Sequence, residues 1–561
     1  MSKKFAIADF ETTTDPDDCR VWAWAICDLE NYEKLRGTDI DSFMRLVSDP
    51  MFNYTVFFHN LKFDGDFIMN WLFKHGFKYV ESRDELSDKT FTCLIATNGQ
   101  FFTMDIMFQN RGNYKNQVHI QDSLKILPIP VRDIATAFNL PILKGEIDYK
   151  AYREVGYQPT KEEWDYIDND VEIVARGLKE FFALNLKKMT LSGDALFSYK
   201  KSIGGAKQFN RYFPKLDYDS FLRPSYKGGY VYVKEDRRGE TIGSGLVFDV
   251  NSLYPSVMYN ELLPYYDGVY FEGDFEPTSK YPLAIMNVDI CFDLKPKHLP
   301  TIQIKKGYLQ FKATEYQSTS NGDIINMTLT SVDLDLIKEH YDISYLEIID
   351  GYKFMGRKGL FKDYIDHWTE VKIRAGKEGN KALRFIAKRM LNSLYGKFGT
   401  NPNATCKVPY LEDGEGIKFY TGEEKTKDPV YLPMASFITA YARKKTITTA
   451  QSVYDRFIYS DTDSIHIEGT EIPEGLEVDD FKLGAWALES KFTKAKFLRQ
   501  KCYVEEIDGE LEVTVAGMPP QCHKHVTFDN FKLGSRYDGK LVPQRVDGGI
   551  VLKDIKFTIK A

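Results

Sequence analysis

The chain has 561 residues, of which 43% are hydrophobic, 14% aromatic and 28% charged, and its formal net charge is −7. This length is too great for one hydrophobic core and predicts two to four domains, and the composition excludes a disordered or membrane-embedded protein. The seven cysteines show no CxxC spacing and the nine histidines no HExxH spacing, which argues against a disulfide framework or a zinc site. Any bound metal is therefore expected on carboxylates.

Charge and hydropathy vary along the chain. Residues 1–190 hold 23 Lys and Arg against 30 Asp and Glu, whereas the remainder is balanced at 51 of each. Between Lys372 and Lys397 eight basic residues accompany a single acid, Glu378, and such a patch suits phosphate contact. No apolar stretch is long enough for a signal peptide or a membrane span, so we expect a cytoplasmic protein without a membrane partner.

The first predicted strand carries two acidic residues. Residues 5–12 alternate as a strand does, which places Asp9 and Glu11 on one face. Two carboxylates at this spacing repel each other, and a divalent cation between them would relieve that repulsion. An isolated pair of this kind is more often two solvated acids on an edge strand, so a metal site requires further acidic residues elsewhere in the chain.

Two further acidic elements occur in the N-terminal third. Asp64 comes just after a short apolar run, and catalytic carboxylates often emerge where a strand ends. Thr160 and Glu163 predict a helix that begins with a capping box. Within that helix Tyr166 and Asp170 lie four residues apart and share a face.

Taken in order, these elements resemble the DEDDy family of 3′→5′ exonucleases. The resemblance implies an RNase H-like domain over residues 1–190 that holds two divalent ions and orients a water for hydrolysis. The implied metal ligands are Asp9, Glu11, Asp64 and Asp170, with Tyr166 orienting the water. The implied contacts to a frayed 3′ end are Thr12, Asn60, Phe63, Ser123 and Leu124, with Lys144 as a supporting basic residue.

Acidic elements recur in the C-terminal two thirds. Asp249 lies near the end of a predicted buried strand at 245–250. Asp461 and Asp463 lie at the tip of a predicted hairpin, between two β-rich runs. Each of these alone is more often a solvated turn, so the interpretation again depends on a partner element.

That partner is the stretch 377–395, which we predict to be one helix with two different faces. A basic face alone is usually solvated, but one that faces an acidic pair suits a triphosphate. The basic face ends in an asparagine and a tyrosine, and the opposite face is apolar. The first face comprises Lys377, Lys381, Arg384, Lys388, Asn392 and Tyr395, and the second Leu383, Ile386, Met390 and Leu394.

Three motifs, DxxSLYP at 249–255, Kx3NSxYG at 388–396 and YxDTDS at 459–464, resemble those of family B DNA polymerases. Residues 501–503 resemble the KxY primer-binding motif of that family, and residues 226–229 resemble the YxGG element that links exonuclease and polymerase modules. The resemblance covers nearly the whole chain. It implies an α/β multidomain protein in which the exonuclease domain precedes a right-hand polymerase of palm, fingers and thumb.

The same resemblance implies roles for individual residues in two-metal phosphoryl transfer. Two Mg²⁺ or Mn²⁺ ions are expected on Asp249, Asp461, Asp463 and the Val250 carbonyl. Because residues 376–380 look like a longer loop than the family leads us to expect, it stays open whether Lys372 or Lys381 approaches the triphosphate. The expected nucleotide contacts are Tyr254 as a steric gate, Lys372, Lys381, Lys388, Asn392 and Tyr395. The expected DNA contacts are Tyr226, Gly228, Gly229, Ser252, Gly396, Lys501 and Tyr503.

Two segments between the motifs resemble the insertions of protein-primed family B polymerases, such as the replicases of small Bacillus podophages. The resemblance implies a monomeric enzyme of the infected bacterial cytoplasm that copies a linear phage genome, displaces strands and uses a terminal protein as primer. Its other expected partners are template-primer DNA, dNTPs and a single-strand-binding protein. The first insertion, which includes residues 302–305, is expected to contact the terminal protein. The expected divisions are palm at 191–260 and 433–528, insertions at 261–358 and 399–432, fingers at 359–398, and thumb at 529–561.

Two other functions stay open at this point. The chain would be a nuclease alone if the C-terminal acids were structural and the basic helix only bound DNA. It would be a single-strand-binding or packaging factor if its aromatic residues stacked on bases and its basic runs formed a groove. Binding alone gives no reason for two acidic clusters, which repel DNA unless metals occupy them.

Overall fold

In the N-terminal part an eight-stranded mixed sheet carries two helices. The structure is a computed structural model that describes residues 2–111, 114–149, 151–304 and 315–560, so Lys305 of the first predicted insertion lies outside the described residues. The elements are β1 Ser2–Thr12, β2 Val21–Asp28, β3 Lys34–Gly37, α1 Ile40–Val47, β4 Phe52–Phe58, α2 Leu61–Lys74, β5 Lys78–Tyr79, β6 Thr90–Ile95, β7 Phe101–Arg111 and β8 Tyr114–Asp122. The sheet order is β3-β2-β1-β4-β8-β7-β6-β5, with β4 parallel to both β1 and β8.

Strand β4 is apolar because it lies inside this sheet. Val56, Phe57 and Phe58 are all buried, as expected for a strand with parallel neighbours on both sides. The next helices are α3 Val131–Ala137 and α4 Lys161–Ala183, and α4 packs on β1 and β2. The predicted capping box of α4 is confirmed, since Thr160 Oγ1 accepts from the Glu163 amide and Glu163 accepts from the Thr160 amide.

Three helices then lead into the C-terminal part. The elements are α5 Leu191–Ser202, α6 Ala206–Tyr212, α7 Asp219–Leu222, β9 Val231–Val233, β10 Thr241–Ile242, β11 Gly245–Val250 and α8 Leu253–Asn260. Asp249 lies near the end of its strand β11, as predicted, and helix α8 follows that strand.

Residues 263–304 and 315–357 contribute a separate sheet with its own core. The elements are β12 Leu263–Glu272, β13 Leu283–Leu294, β14 Ile302–Gln303, β15 Tyr316–Gln317, β16 Ile325–Thr330, α9 Ser331–His340 and β17 Tyr341–Arg357. The four-stranded order is β12-β17-β13-β16. Met286, Val288 and Phe292 lie an even number of residues apart on β13, and all three belong to this core.

The prediction of one helix over 377–395 is wrong at both ends. The structure has α10 Lys362–Lys377, α11 Lys381–Ser393 and α12 Tyr395–Phe398. Between α10 and α11, Gly379 has a φ of +69°, a conformation that favours glycine, and the Asn380 side chain caps α11 by accepting from the Leu383 amide at 2.9 Å. Lys377 therefore ends one helix, and Tyr395 begins another.

The remaining chain completes the second half of the molecule. Its elements are β18 Asn403–Glu412, β19 Gly416–Thr426, α13 Leu432–Ser452, β20 Phe457–Asp461, β21 Ser464–Glu468, β22 Trp486–Phe492, β23 Lys494–Arg499, β24 Cys502–Ile507, β25 Glu510–Val515, α14 Pro520–His523, β26 Arg536–Val546 and β27 Gly549–Thr558. The sheet β22-β11-β21-β20-β9 confirms the predicted acidic hairpin, and β10-β23-β24-β25 lies beside it. The pairs β18–β19 and β26–β27 are long hairpins. No helix in the described ranges is long and apolar enough to cross a membrane.

A buried ion pair joins the part of the chain that forms the sheet β12-β17-β13-β16 to helix α13. Arg443 on α13 donates to both carboxylate oxygens of Asp333 on α9, at 2.8 and 2.9 Å, and also to the carbonyl of Gly228 at 2.8 Å. Burial favours a raised pKa for Asp333, but the charges of Arg443 and Lys227 outweigh it and hold that pKa below its usual value. Arg443 therefore links helix α9 of this sheet both to α13 and to the backbone at Gly228.

Replacing Arg443 by methionine is expected to lower stability by about 3–5 kcal/mol, because it leaves the Asp333 carboxylate buried without its partner. Differential scanning calorimetry measures the change. Lys482→Met is the matched control: it removes an exposed ion pair with Glu477, for which a change of about 0–1 kcal/mol is expected. An equally small loss of stability in both variants would contradict the role of the Arg443–Asp333 ion pair.

Two candidate active sites

The N-terminal carboxylates converge on one position. Asp9 and Glu11 share a face of β1, Asp64 lies in the first turn of α2, and Asp170 lies on α4. The pKa of Asp9 is raised to about 7, first by burial and then by the Asp170 carboxylate. Burial and the charge of Asp9 likewise raise the pKa of Glu11 and of Asp64. These four side chains therefore act on one another electrostatically, as the sequence predicted.

A lysine and two tyrosines border this cluster. Lys144 Nζ is ion-paired with the Asp170 carboxylate and lies 4.9 Å from the ring centroid of Tyr166. The Tyr166 hydroxyl is hydrogen-bonded to the hydroxyl of Tyr149. Tyr149 was missed in the sequence, where an exposed tyrosine in a loop gives no signal. The positive charge of Lys144 partly offsets the rise in the pKa values of Asp9 and Glu11.

The residues expected to bind a 3′ end lie along one edge of the same sheet. Asp122 joins two of them, because its Oδ1 accepts from the backbone amide of Asn60 at 3.0 Å and from that of Leu124 at 2.9 Å. The Ser123 hydroxyl donates to the carbonyl of Phe58 at 3.0 Å. Thr12 is the last residue of β1, and Phe63 lies in the first turn of α2. Asp122 is thus an additional residue that shapes this edge.

The second acidic cluster forms where β11 meets the β20–β21 hairpin. Asp249 pairs with Ser464 across the strands, and the Val250 amide donates to the Asp463 carbonyl at 2.8 Å. The pKa of Asp249 is raised to about 7 by burial and by the charges of Asp463 and Glu489, while Lys388 acts in the opposite direction. Glu489 on β22 was missed because its strand alternation does not distinguish it from a solvated acid.

Lys501 is bound to the remaining acid of the hairpin tip. Its Nζ donates to both oxygens of Asp461 at 2.6 and 2.7 Å. The Tyr459 hydroxyl donates to Asp461 at 3.2 Å and accepts from the Lys501 amide at 3.1 Å. The Tyr503 ring packs 5.1 Å from that of Tyr459. The predicted DNA contacts Lys501 and Tyr503 thus lie beside the acidic tip.

Three cations come together on the paired helices α10 and α11. Burial lowers the pKa of Lys372, and the charges of Lys388 and Arg384 lower it further. Lys388 also acts on Asp249, so this basic group faces the acidic cluster. Lys381 is exposed at the first residue of α11, and Asn392 is exposed near its end. The geometry therefore favours Lys372 over Lys381 and adds Arg384 as its companion.

Two stacked tyrosines cover the acidic cluster. The rings of Tyr254 on α8 and Tyr395 on α12 are 3.9 Å apart and inclined by 20°. Ser252 has a φ of +56° just before α8, which turns the chain after Asp249. This stacking places both predicted nucleotide contacts at the same point.

The predicted YxGG residues lie close to the hairpin tip and to helix α12. A Cβ at Gly229 would lie 2.6 Å from the Thr462 side chain between the two hairpin aspartates, so only glycine fits there. Tyr226 packs on Gly399, close to the short helix that contains Gly396. Gly228 is exposed, and its carbonyl is held by Arg443.

The donor chemistry of both clusters fits a hard divalent cation. All candidate side-chain donors are carboxylate oxygens, which Mg²⁺ and Mn²⁺ prefer. The buried Asp170 Oδ1 has no hydrogen-bond partner. Within the described ranges no three Asp, Glu, His or Cys side chains already form a metal-binding group, and Asp170 and Asp461 are bound to lysines instead.

Comparisons with known proteins agree with this geometry. Residues 51–480 match the family model "DNA polymerase type B, organellar and viral". The chain is 48% identical to the DNA polymerase of Bacillus phage Nf and 46% identical to that of Bacillus phage phi29, each over 100% of both chains. It superposes with a TM-score of 0.94 on phi29 DNA polymerase complexed with primer-template DNA and incoming nucleotide substrates, at 45% identity, covering 99% of this chain and 100% of that one.

Proposed function

Because the chain belongs to the type B DNA polymerases and is 46% identical over its whole length to the DNA polymerase of Bacillus phage phi29, we propose that each of its two carboxylate clusters is the active site of one reaction on DNA. The chain is a DNA-directed DNA polymerase with the right-hand fold of that family. Its two other possible functions, a nuclease alone or a binding factor, are thereby excluded. The remaining question is which residues carry each activity.

Polymerisation is assigned to the cluster of Asp249, Asp461 and Asp463. The observation that carries this assignment is that Lys388 faces Asp249, with Lys372 and Arg384 beside it. These cations would bind the triphosphate of an incoming dNTP, whose charge they match.

The stacked tyrosines would close the nucleotide position from the other side. Tyr254 would exclude a ribose 2′-hydroxyl, and Tyr395 and Asn392 would lie near the nascent base pair. Lys501 and Tyr503 would hold the primer strand, and Ser252 and Gly396 would border the DNA. Phi29 DNA polymerase, to which this chain is similar throughout, is complexed with primer-template DNA and incoming nucleotides in a solved structure.

Hydrolysis from the 3′ end is assigned to the cluster of Asp9, Glu11, Asp64 and Asp170. This cluster has one lysine and a tyrosine instead of a cationic helix, which suits a water nucleophile and a phosphodiester. Tyr166 would orient the water, and Lys144 would stabilise the developing charge. Thr12, Asn60, Phe63, Ser123 and Leu124 would hold the frayed strand.

Type B DNA polymerases depend on divalent metal ions. We assign two Mg²⁺ or Mn²⁺ ions to each cluster, held by its carboxylates and, in the polymerase site, also by the Val250 carbonyl. Bound there, such ions would lower the pKa of the attacking oxygen and neutralise charge on the phosphate and the leaving group.

The division of the chain and its partners are also proposals. The separate sheet of residues 263–357 and the hairpin β18–β19 support insertions at 261–358 and 399–432, and the hairpin β26–β27 supports a thumb at 529–561. Residues 1–190 would be the exonuclease, 191–260 and 433–528 the palm, and 359–398 the fingers. The proposed partners are DNA, dNTPs, a terminal protein bound by the first insertion, and a single-strand-binding protein, in the cytoplasm of an infected bacterium.

Substitutions in one cluster are expected to leave the other reaction intact. Asp249→Ala with Asp463→Ala should abolish dNTP incorporation on a primed template while degradation of a single-stranded 3′ end continues. Asp9→Ala with Asp64→Ala should have the opposite effect, because each pair removes carboxylates from only one cluster. Gel assays of primer extension and shortening measure both, and persistence of either activity in its own double variant would refute that assignment.

Arg384→Ala is expected to raise the KM for dNTP by at least about tenfold, because a charge-assisted hydrogen bond contributes about 1.5–3 kcal/mol. Steady-state incorporation on a primed template measures it. Lys381→Ala, one turn away on the same helix, is the matched control and should change KM less than about twofold, since Lys381 is not among the charges that act on Lys372. A larger rise of KM in Lys381→Ala than in Arg384→Ala would show that Lys381 binds the triphosphate instead.

Protein priming predicts a covalent product with the cognate terminal protein. Incubation of the two proteins with labelled dATP and Mn²⁺ should transfer the nucleotide to a hydroxyl of the terminal protein, and Asp249→Ala should prevent this transfer. Denaturing gel electrophoresis detects the labelled protein. Extension of a DNA primer without any labelled terminal protein would indicate a nucleic-acid primer instead.

A further inference from the structure

The hairpin β26–β27, near the C-terminus, ends on helix α2 of the N-terminal sheet. Two residues at or next to its turn form ion pairs with that helix, one with the first half of α2 and one with its last turn. Arg545 Nε lies 3.0 and 3.2 Å from the two carboxylate oxygens of Asp66, in the first half of α2. Lys74, in the last turn of α2, lies 2.7 Å from Asp547. The hairpin therefore contacts α2 over most of its length.

The two ion pairs have very different surroundings. Asp66 is fully buried, and Arg545 is half-buried above it. Lys74 and Asp547 are both about half exposed, at 45% and 50% of their side-chain surface. A buried carboxylate is held much more firmly by its partner than an exposed one, because water does not compete for it. The Arg545–Asp66 pair is thus the contact that can fix the helix.

The turn itself is built for close approach to the N-terminal sheet. Gly548 has a φ of +96°, and a Cβ there would overlap the carbonyl oxygen of Cys19. A Cβ at Gly549 would overlap the ring of Phe67 on α2. Ile550 is buried in the hydrophobic core that surrounds α2. The hairpin backbone therefore lies against α2 and against the loop after β1.

A second hairpin limits the freedom of Arg545. The guanidinium lies 4.7 Å from the ring centroid of Phe419 on β19, which itself packs edge-on against Phe101. Ile417 of the same strand is fully buried in the core around α2. Arg545 is therefore held between an aromatic ring and a buried carboxylate, which leaves it one orientation.

Asp66 is two residues beyond Asp64 on α2, and Asp64 belongs to the carboxylate cluster of the proposed exonuclease. We infer that Arg545 is a positioning residue for 3′-end hydrolysis: its ion pair with Asp66 fixes the N-terminal half of α2 and, through it, the Asp64 carboxylate. This inference rests on the proposed exonuclease function. It makes the exonuclease centre complete only when the C-terminal hairpin is docked on α2.

Arg545→Met tests the inference in the full-length protein. Steady-state degradation of a single-stranded oligonucleotide should show kcat lowered by about tenfold or more, because small displacements of a catalytic group have effects of this size. The KM should stay within about twofold, since the edge residues expected to bind the strand are untouched. Addition of one nucleotide to a short primed template should be unchanged, which shows that the variant is folded.

Lys74→Met is the matched control, because it breaks the exposed ion pair of the same hairpin. It should leave kcat of degradation unchanged. If Lys74→Met lowers kcat as much as Arg545→Met does, docking of the hairpin in general is responsible, and the role of Arg545 is refuted. Wild-type kcat in Arg545→Met refutes it equally.

If the single variant does not fold, the double variant Asp66→Ala/Arg545→Met is measured in its place. It removes both charges, so no unpaired carboxylate is left buried. Its kcat should stay low, because the contact that fixes α2 is still missing, whereas recovery to the wild-type kcat would show that Arg545 only neutralises Asp66. Wild-type protein and Asp64→Ala are assayed alongside: if the wild type degrades no DNA, the exonuclease assignment itself has failed.

Discussion

The repulsion between buried carboxylates is the constraint on which the rest of this structure depends. In two clusters, burial and then the charges of neighbouring carboxylates raise the pKa values of Asp9 and Asp249 to about 7 each. A protein gains no stability from such an arrangement, because each carboxylate loses solvation and faces a like charge. Positive groups must therefore accompany each cluster, and the two clusters recruit different ones.

In the proposed assignment, this difference in positive groups distinguishes the two reactions. The N-terminal cluster is accompanied by one lysine, Lys144, and a pair of hydrogen-bonded tyrosines. The C-terminal cluster is accompanied by Lys501 at the hairpin tip and by the cations of α10 and α11. One arrangement suits a single phosphodiester and water, and the other suits the larger charge of a triphosphate and a primer. One chain can thus carry synthesis and removal of the same bond at separate places.

Local patterns predicted the elements that carry the carboxylates, but not the contacts between distant segments. The alternation of β1, the capping box of α4 and the acidic hairpin tip all arise from neighbouring residues, and the structure confirms them. The start of α11 was missed because Gly379 and Asn380 interrupt a basic pattern that is continuous in the sequence. The ion pair of Arg545 with Asp66 spans 479 positions, a separation at which charge pattern alone gives no signal.

The most direct measurement of this account is anomalous diffraction at the manganese edge from crystals of the protein soaked in Mn²⁺. The account predicts anomalous peaks at two separate places, one among Asp9, Glu11, Asp64 and Asp170 and the other between Asp249 and Asp463. Manganese bound elsewhere on the protein, with both carboxylate clusters unchanged, would contradict the account.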